Sequence, residues 1–284
     1  MGNDFVPMEE PVLPFRSHPF RDVKNVRYLS SNEKCLLSQK RYLYKYLNKD
    51  AFQKTLQYGL RFARPSTWTD QFERRFYDAD YSKIAPNLSK DTFAACFAYD
   101  KENEAAWRSY MYNNIKTNSL CFRLTINRKR LREAMKKDGR CVYYEGPVVY
   151  LREYTIANLH LCGAPGAKSL HNAFFHNRTF GHDDFLSLML LKREFFKHEN
   201  EIRYFAVPKQ EIADEYIYID LGLDPESNSI IEKVTVTRPF GNFKLTEEEL
   251  DQIAEELPID RDLLETFNPY DDYDGPVVFD KCVK

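Results

Sequence analysis

From about residue 42 onward, short alternating apolar runs are separated by amphipathic stretches, and most boundaries carry a turn or cap residue. Tyr42–Tyr46 alternates and is aromatic, which predicts a strand. Asn48 is placed to cap a helix with Phe52 and Leu56 on its apolar side. Gly59 is placed to end it, because glycine accepts the left-handed exit. Leu60 and Phe62 alternate with Arg61 and Ala63, predicting a second strand. The stretch Arg64–Gln71, with Pro65, Ser66, Thr67 and Asp70, reads as a loop. Thr92–Tyr99 suits a buried strand, Glu102–Asn113 a helix, and Ser119–Ile126 another strand. Arg128–Lys137 predicts a basic helix ended near Gly139. Cys141–Tyr144 and Val148–Tyr150 follow as strands, with Gly146-Pro147 as a turn or bulge between them.

Beyond the helix-breaking Gly163–Gly166 stretch, Phe185–Lys197 predicts a helix. Glu201–Val207, Tyr216–Ile219 and Ile230–Thr237 predict strands. Thr246–Leu257 begins with Thr246 and Glu249 in the spacing of a capping box. Short strands and helices mixed in this way point to an α+β fold around one core, not a regular βαβ series. Residues 1–27, with Pro7, Pro11, Pro14 and Pro19, read as an extended arm, and Ser31–Gln39 as a short helix. Residues 28–240 form the expected main domain. Residues 241–284 form an acidic helix and tail packed on it.

Composition changes the picture in three places. The 284 residues include 21 Phe and 19 Tyr against 10 Gly, which excludes disordered and collagen-like classes. No basic segment followed by an apolar run opens the chain, and no apolar run is long enough for a membrane span, so the expectation is a cytoplasmic protein without membrane contact. The six Cys are widely spaced, which fits separate reduced thiols and excludes a paired-cysteine zinc site. The net charge of -2 hides an asymmetry: 34 basic against 23 acidic residues up to Pro208, then 5 against 19 over Lys209–Asp274. Such a basic body attracts anions, unless the acidic C-terminal part neutralises it within the molecule.

The glycine-rich phosphate loops, the zinc-protease His pattern and the serine-hydrolase elbow are all absent. A different set of residues carries a resemblance. Tyr44-Lys45-Tyr46, the helix ending at Gly59, and Leu60-Arg61-Phe62-Ala63 resemble the opening of a bacterial family known only as domain of unknown function 2971. Thr69-Asp70-Gln71-Phe72-Glu73, Cys96-Phe97, Trp107-Arg108-Ser109-Tyr110 and Leu120-Cys121-Phe122 continue it in order. Lys192, Lys197, Glu199, Asn200, Glu201 and Arg203 supply its late signature. The order Tyr44 or Tyr46, Tyr110, Glu201 is also distantly similar to ADP-ribosyltransferases, although the first-strand His or Arg of that pattern is missing. That resemblance implies NAD as cofactor, a macromolecular acceptor or simple NAD hydrolysis, and a role in a bacterial toxin or anti-phage system.

The residues themselves suggest what each could contribute. Glu199 and Glu201, two apart on an expected strand, would share a face, and two neighbouring carboxylates repel. In an NAD site, Glu201 takes the central role and Glu199 the substrate-side role, with Tyr110 lining the pocket. Tyr44 and Tyr46 would stack on a ligand ring, Arg203 would grip a diphosphate, and Asp70 and Glu73 would reach a ribose or a metal ion. Each has a plainer reading as core aromatic, salt bridge or turn cap. Arg128, Lys129, Arg132 and Lys136 could instead meet nucleic acid phosphates, with Tyr143 and Tyr144 nearby for stacking. Two further functions compete with the transferase. One is a non-enzymatic nucleotide- or protein-binding module. The other is a metal-dependent nuclease using Asp70, Glu73, Glu199 and Glu201.

Overall fold

A computed structural model describes residues 26–28, 40–82, 85–101, 106–107, 120–151, 181–223, 229–238, 245–257 and 259–267. Residues 1–25 of the expected arm, the short helix at Ser31–Gln39, Tyr110 with most of its helix, the Gly163–Gly166 stretch and the final tail lie outside these residues, while the arm's last two residues fall in strand β1.

The strands are β1 (Val26–Tyr28), β2 (Tyr42–Asn48), β3 (Leu60–Ala63), β4 (Phe93–Ala98), β5 (Cys121–Asn127), β6 (Cys141–Pro147), β7 (Val149–Leu151), β8 (Leu191–Arg193), β9 (Glu201–Pro208), β10 (Tyr216–Ile219), β11 (Ile231–Thr237) and β12 (Leu264–Thr266). The helices are α1 (Lys49–Tyr58), α2 (Gln71–Asp78), α3 (Arg128–Asp138), α4 (His182–Leu188) and α5 (Glu247–Glu256). One sheet runs in the order β1-β6-β9-β4-β2-β5-β11-β12, with β3 and β10 branching from β4. It is antiparallel except at β1–β6 and β11–β12. The separate pair β7–β8 is parallel. The α+β expectation holds.

Local chemistry explains the helix ends. Asn48 Oδ1 accepts from the Ala51 amide at 2.8 Å, and Asn127 Oδ1 accepts from Lys129 and Arg130. Thr246 and Glu249 complete the capping box that opens α5. Gly59 and Gly139 leave their helices at φ 101° and 66°, a region that glycine enters without a Cβ penalty.

Three expectations change. The loop at Arg64–Gln71 closes in a short 3-10 turn, Pro65–Thr67, and then runs into α2, because Asp70 accepts from the Phe72 and Glu73 amides and caps a helix there. The helix expected over Phe185–Lys197 is earlier and shorter. It stops at Leu188, and strand β8 and a 3-10 turn, Glu194–Glu199, occupy the rest. Gly146-Pro147 is neither turn nor bulge: both residues stay in β6, in unbroken register with Arg203 and Ile202 of β9.

Alternation in the strands separates two sheet faces. One face is mostly apolar: Leu43, Phe97, Phe122, Leu124, Ile202 and Tyr204 pack under α1, α3 and α5, with Lys45 and buried Glu145 as charged exceptions. The acidic C-terminal helix joins this same core through Leu250 and Ile253. The opposite face carries two apolar groups. Ala94, Tyr144 and Phe205 pack against α2 and α4. Tyr44, Tyr46, Ala98 and Cys121 pack with Trp107. Between them, in the middle of β4 and β9, lie Cys96 opposite Arg203 and Ala98 opposite Glu201.

Candidate functional site

The interval between those two apolar groups is filled by charge. Arg203, 1% exposed, reaches Glu201 Oε1 from Nε at 2.7 Å and Glu73 Oε2 from Nη2 at 2.6 Å. Its Nη1 donates to the Met189 carbonyl at 2.5 Å, and the Trp68 ring lies 4.5 Å from the guanidinium carbon. Lys192 Nζ sits among three carboxylates: Glu199 Oε2 at 2.5 Å, Glu201 Oε2 at 2.8 Å and Glu73 Oε1 at 3.4 Å. The Phe196 ring covers the ammonium at 5.1 Å. Three carboxylates therefore face two cations in a buried slot.

Each element delivers one part. Helix α2 carries Glu73, and its Asp70 cap is tied to Arg193 Nη2 at 2.8 Å. The β7–β8 pair sets Lys192 opposite Tyr150. The Tyr150 hydroxyl accepts from the Glu201 amide at 2.9 Å, which fixes the start of β9. Glu199 and Glu201 meet for a reason other than strand alternation. Glu199 ends the 3-10 turn, Asn200 turns the chain at φ 44°, and only Glu201 lies in the strand. Asn200 tolerates this left-handed conformation, and its side chain is held by Asp100 and Tyr99.

The two carboxylates have opposite proton affinities. Burial opposes the charge on Glu201, but Arg203 and Lys192 outweigh it and hold the group well below the usual carboxylate range. Burial dominates at Glu199 and raises it despite Lys192. Burial likewise opposes the ammonium of Lys192, yet Glu201 and Glu73 hold it above its ordinary value. The Cys96 thiol is pushed up by burial and by Glu201. Charge counting agrees: with Glu199 protonated the five-residue set is neutral, and with Glu199 ionised it carries one negative charge. Both Glu201 oxygens are engaged, whereas the Glu199 side chain is 33% exposed.

The residues singled out in the sequence are thus divided. Glu199, Glu201 and Arg203 come together, but Arg203 grips carboxylates, not an open diphosphate subsite. Asp70 caps α2 and pairs with Arg193. Tyr44 and Tyr46 pack in the neighbouring apolar group with Trp107, and Tyr44 lies across Ala98 from Glu201. Tyr110 lies outside the described residues. The nucleic acid set loses two members: Arg128 and Arg132 both turn to buried Glu145, leaving Lys129 exposed and Lys136 half-buried on α3. The nuclease set also differs. Glu73, Glu199 and Glu201 converge, but on the ammonium of Lys192, and among the described residues no group of three or more metal-ligating side chains is poised for an ion. Lys192 has no role in the transferase reading, although it belongs to the late signature, and Glu73, expected with Asp70 at a ribose or metal, instead binds Arg203 and Lys192. Trp68 carried no signal beyond its type.

One exposed feature borders the slot. Phe195 is 79% exposed and meets the Phe196 ring edge-on at 5.3 Å. The 3-10 turn thus places an aromatic lip between Lys192 and Glu199. No helix among the described residues is long and apolar enough to cross a membrane. No family model matches the chain, and neither a curated protein nor a solved structure matches it. The resemblances set out above rest on their motif residues alone.

Proposed function

We propose that the chain is an enzyme that cleaves the nicotinamide–ribose bond of NAD, passing ADP-ribose to water or to a macromolecular acceptor. The observation that carries this reading is the split between Glu199 and Glu201, two carboxylates on one lysine whose proton affinities are driven apart. Such a split is how one site keeps a permanently ionised group beside one that exchanges a proton. With Glu199 ionised the set carries one net negative charge, which would favour positive charge developing on the ribose carbon as the C–N electron pair leaves with nicotinamide. Glu199, the more accessible carboxylate, would take the proton of the attacking hydroxyl as the new C–O bond forms. The Phe195 and Phe196 rings offer a flat surface beside that point.

Nicotinamide release from NAD, measured for the wild type and for Glu199→Gln, tests the proposal. The variant should fold with wild-type stability, because an uncharged side chain at 199 leaves the set neutral. Its turnover should fall by about 10²–10⁴-fold, the usual contribution of acid–base catalysis. Absence of release and of NAD binding in folded wild type, or full activity in Glu199→Gln, would sink it.

A further inference from the structure

Two buried donors that find no acceptor among the described residues lie in one place: Arg123 Nε and Trp107 Nε1. Arg123 on β5 and Trp107 are each 1% exposed. The guanidinium carbon of Arg123 lies 5.5 Å from the Tyr44 ring and 5.6 Å from both the Trp107 and Phe267 rings. Trp107 and Phe267 are themselves stacked, with 5.5 Å between centroids. The outer nitrogens of Arg123 are used: Nη1 donates to the Lys101 carbonyl at 3.0 Å and Nη2 to Thr235 Oγ1 at 2.9 Å. Its ion pair is poor. Glu265 Oε1 stays 3.7 Å from Nη2, accepts the Thr235 hydroxyl at 2.7 Å instead, and belongs to a side chain 40% exposed.

A guanidinium is most stable with a carboxylate or phosphate held by its planar fork. Leaving one of its N–H groups buried without an acceptor is costly. Three aromatic faces offset part of that cost through attraction to the cation, but a ring face does not replace a directed acceptor. The indole N–H of Trp107 has the same need. A strong donor set, aromatic walls and a carboxylate just beyond hydrogen-bonding distance together describe a receptor for an external oxyanion.

We propose that Arg123 and Trp107 form a binding site for an oxyanion carried on a flat ring. One ligand oxygen accepts from Arg123 Nε and Trp107 Nε1, the ring lies against the aromatic walls, and entry is from the side of Glu265. The ligand and Glu265 compete for the same cation. The site shares a sheet face with the Glu199 slot but is built from other residues, and it holds whether or not the chain processes NAD. Carboxylate and phosphate ligands share this chemistry, and the test separates them.

The sequence contains 2 Trp, so Trp68→Phe leaves Trp107 as the only indole reporter. This full-length variant is titrated with benzoate, with phenyl phosphate and with neutral benzamide while Trp107 emission is followed. The expected result is a saturable change with benzoate or phenyl phosphate at about millimolar concentration and none with benzamide. Whichever of the two acts identifies the anion class. Adding Glu265→Gln, which removes the competing charge, should tighten binding about threefold or more, and Arg123→Lys, which removes the fork, should weaken it about tenfold. Should Arg123→Lys fail to fold, the Glu265→Gln comparison still decides. No saturable change with either anion, in both the Trp68→Phe parent and its Glu265→Gln derivative, overturns the proposal, as does an equal response to benzamide.

Discussion

Lys45 Nζ donates to the Cys96 carbonyl at 3.0 Å, where strand β4 changes partner. On that edge β4 pairs with β3 at Ala63↔Ala94 and with β2 at Tyr44↔Ala98, so Cys96 falls in the gap between the two ladders. A side-chain amine stands in for a backbone donor there, with the Phe97 ring 5.1 Å from it.

Lys45→Met keeps the length of the side chain but removes that donor. It should destabilise the fold at neutral pH by about 1–3 kcal/mol, the cost of a part-buried carbonyl losing its partner. Burial also lowers the proton affinity of Lys45 below its ordinary value of 10.5. The folded state therefore releases this proton at lower pH than the unfolded chain does. Wild type should gain on the variant as pH rises through the depressed value toward 10.5, since the neutral amine still donates. Urea unfolding of both proteins across that range checks the sign, and a gap that closes with rising pH would contradict it.

What could be read from the sequence follows from how local each cause is. Asn48, Gly59, Gly139 and the Thr246–Glu249 box act within one turn, so their helices were legible. The opposite faces of β2 and β5 were legible from alternation, and β4 from its apolar run. Asp70 had the chemistry of a helix cap but was read with its loop, because the helix it opens, α2, is short and mostly polar. The pairing of Glu199 with Glu201 was expected for the wrong reason. Strand period 2 suggested it, whereas a left-handed Asn200 and a lysine from β8 produce it. Long-range ion pairs such as Arg203–Glu73, 130 positions apart, leave no periodic trace. Their signal is only a set of charged residues in segments that should otherwise be buried.

Glu145 illustrates such a pair and gives a second prediction. It is fully buried on β6 and accepts from Arg128 Nη2 at 3.0 Å and from Arg132, both on α3. Glu145→Gln would leave two guanidinium groups facing a neutral amide and should cost about 3–5 kcal/mol at neutral pH. Burial opposes the charge on Glu145, but Arg128 and Arg132 outweigh it and hold the carboxyl below its ordinary value of 4.5. The stability it contributes is fully present above 4.5 and is lost as pH falls through the depressed folded value. The gap between wild type and variant should therefore narrow in acid. Denaturant unfolding at neutral pH and in a series below pH 4.5 measures it, and a constant gap would exclude Glu145 as a source of acid sensitivity.

Gly59 gives the last prediction, because two glycines with positive φ differ in what surrounds them. A Cβ added at Gly59 would lie 2.4 Å from the Ile219 carbonyl oxygen, backbone of the edge strand β10. At Gly139 the nearest atom to an added Cβ would be the Lys137 carbonyl oxygen at 3.7 Å, an ordinary contact. Gly139→Ala therefore pays only for the left-handed conformation, about 1–2 kcal/mol. Gly59→Ala pays for its own backbone angle and must also push β10 away from the end of α1. Its cost should exceed that of Gly139→Ala by about 2 kcal/mol or more, lowering Tm by roughly a further 5 °C. Calorimetric scans of both single variants make the comparison. Equal losses would mean that β10 yields freely at Ile219, and that φ alone, not close approach, is what requires glycine at position 59.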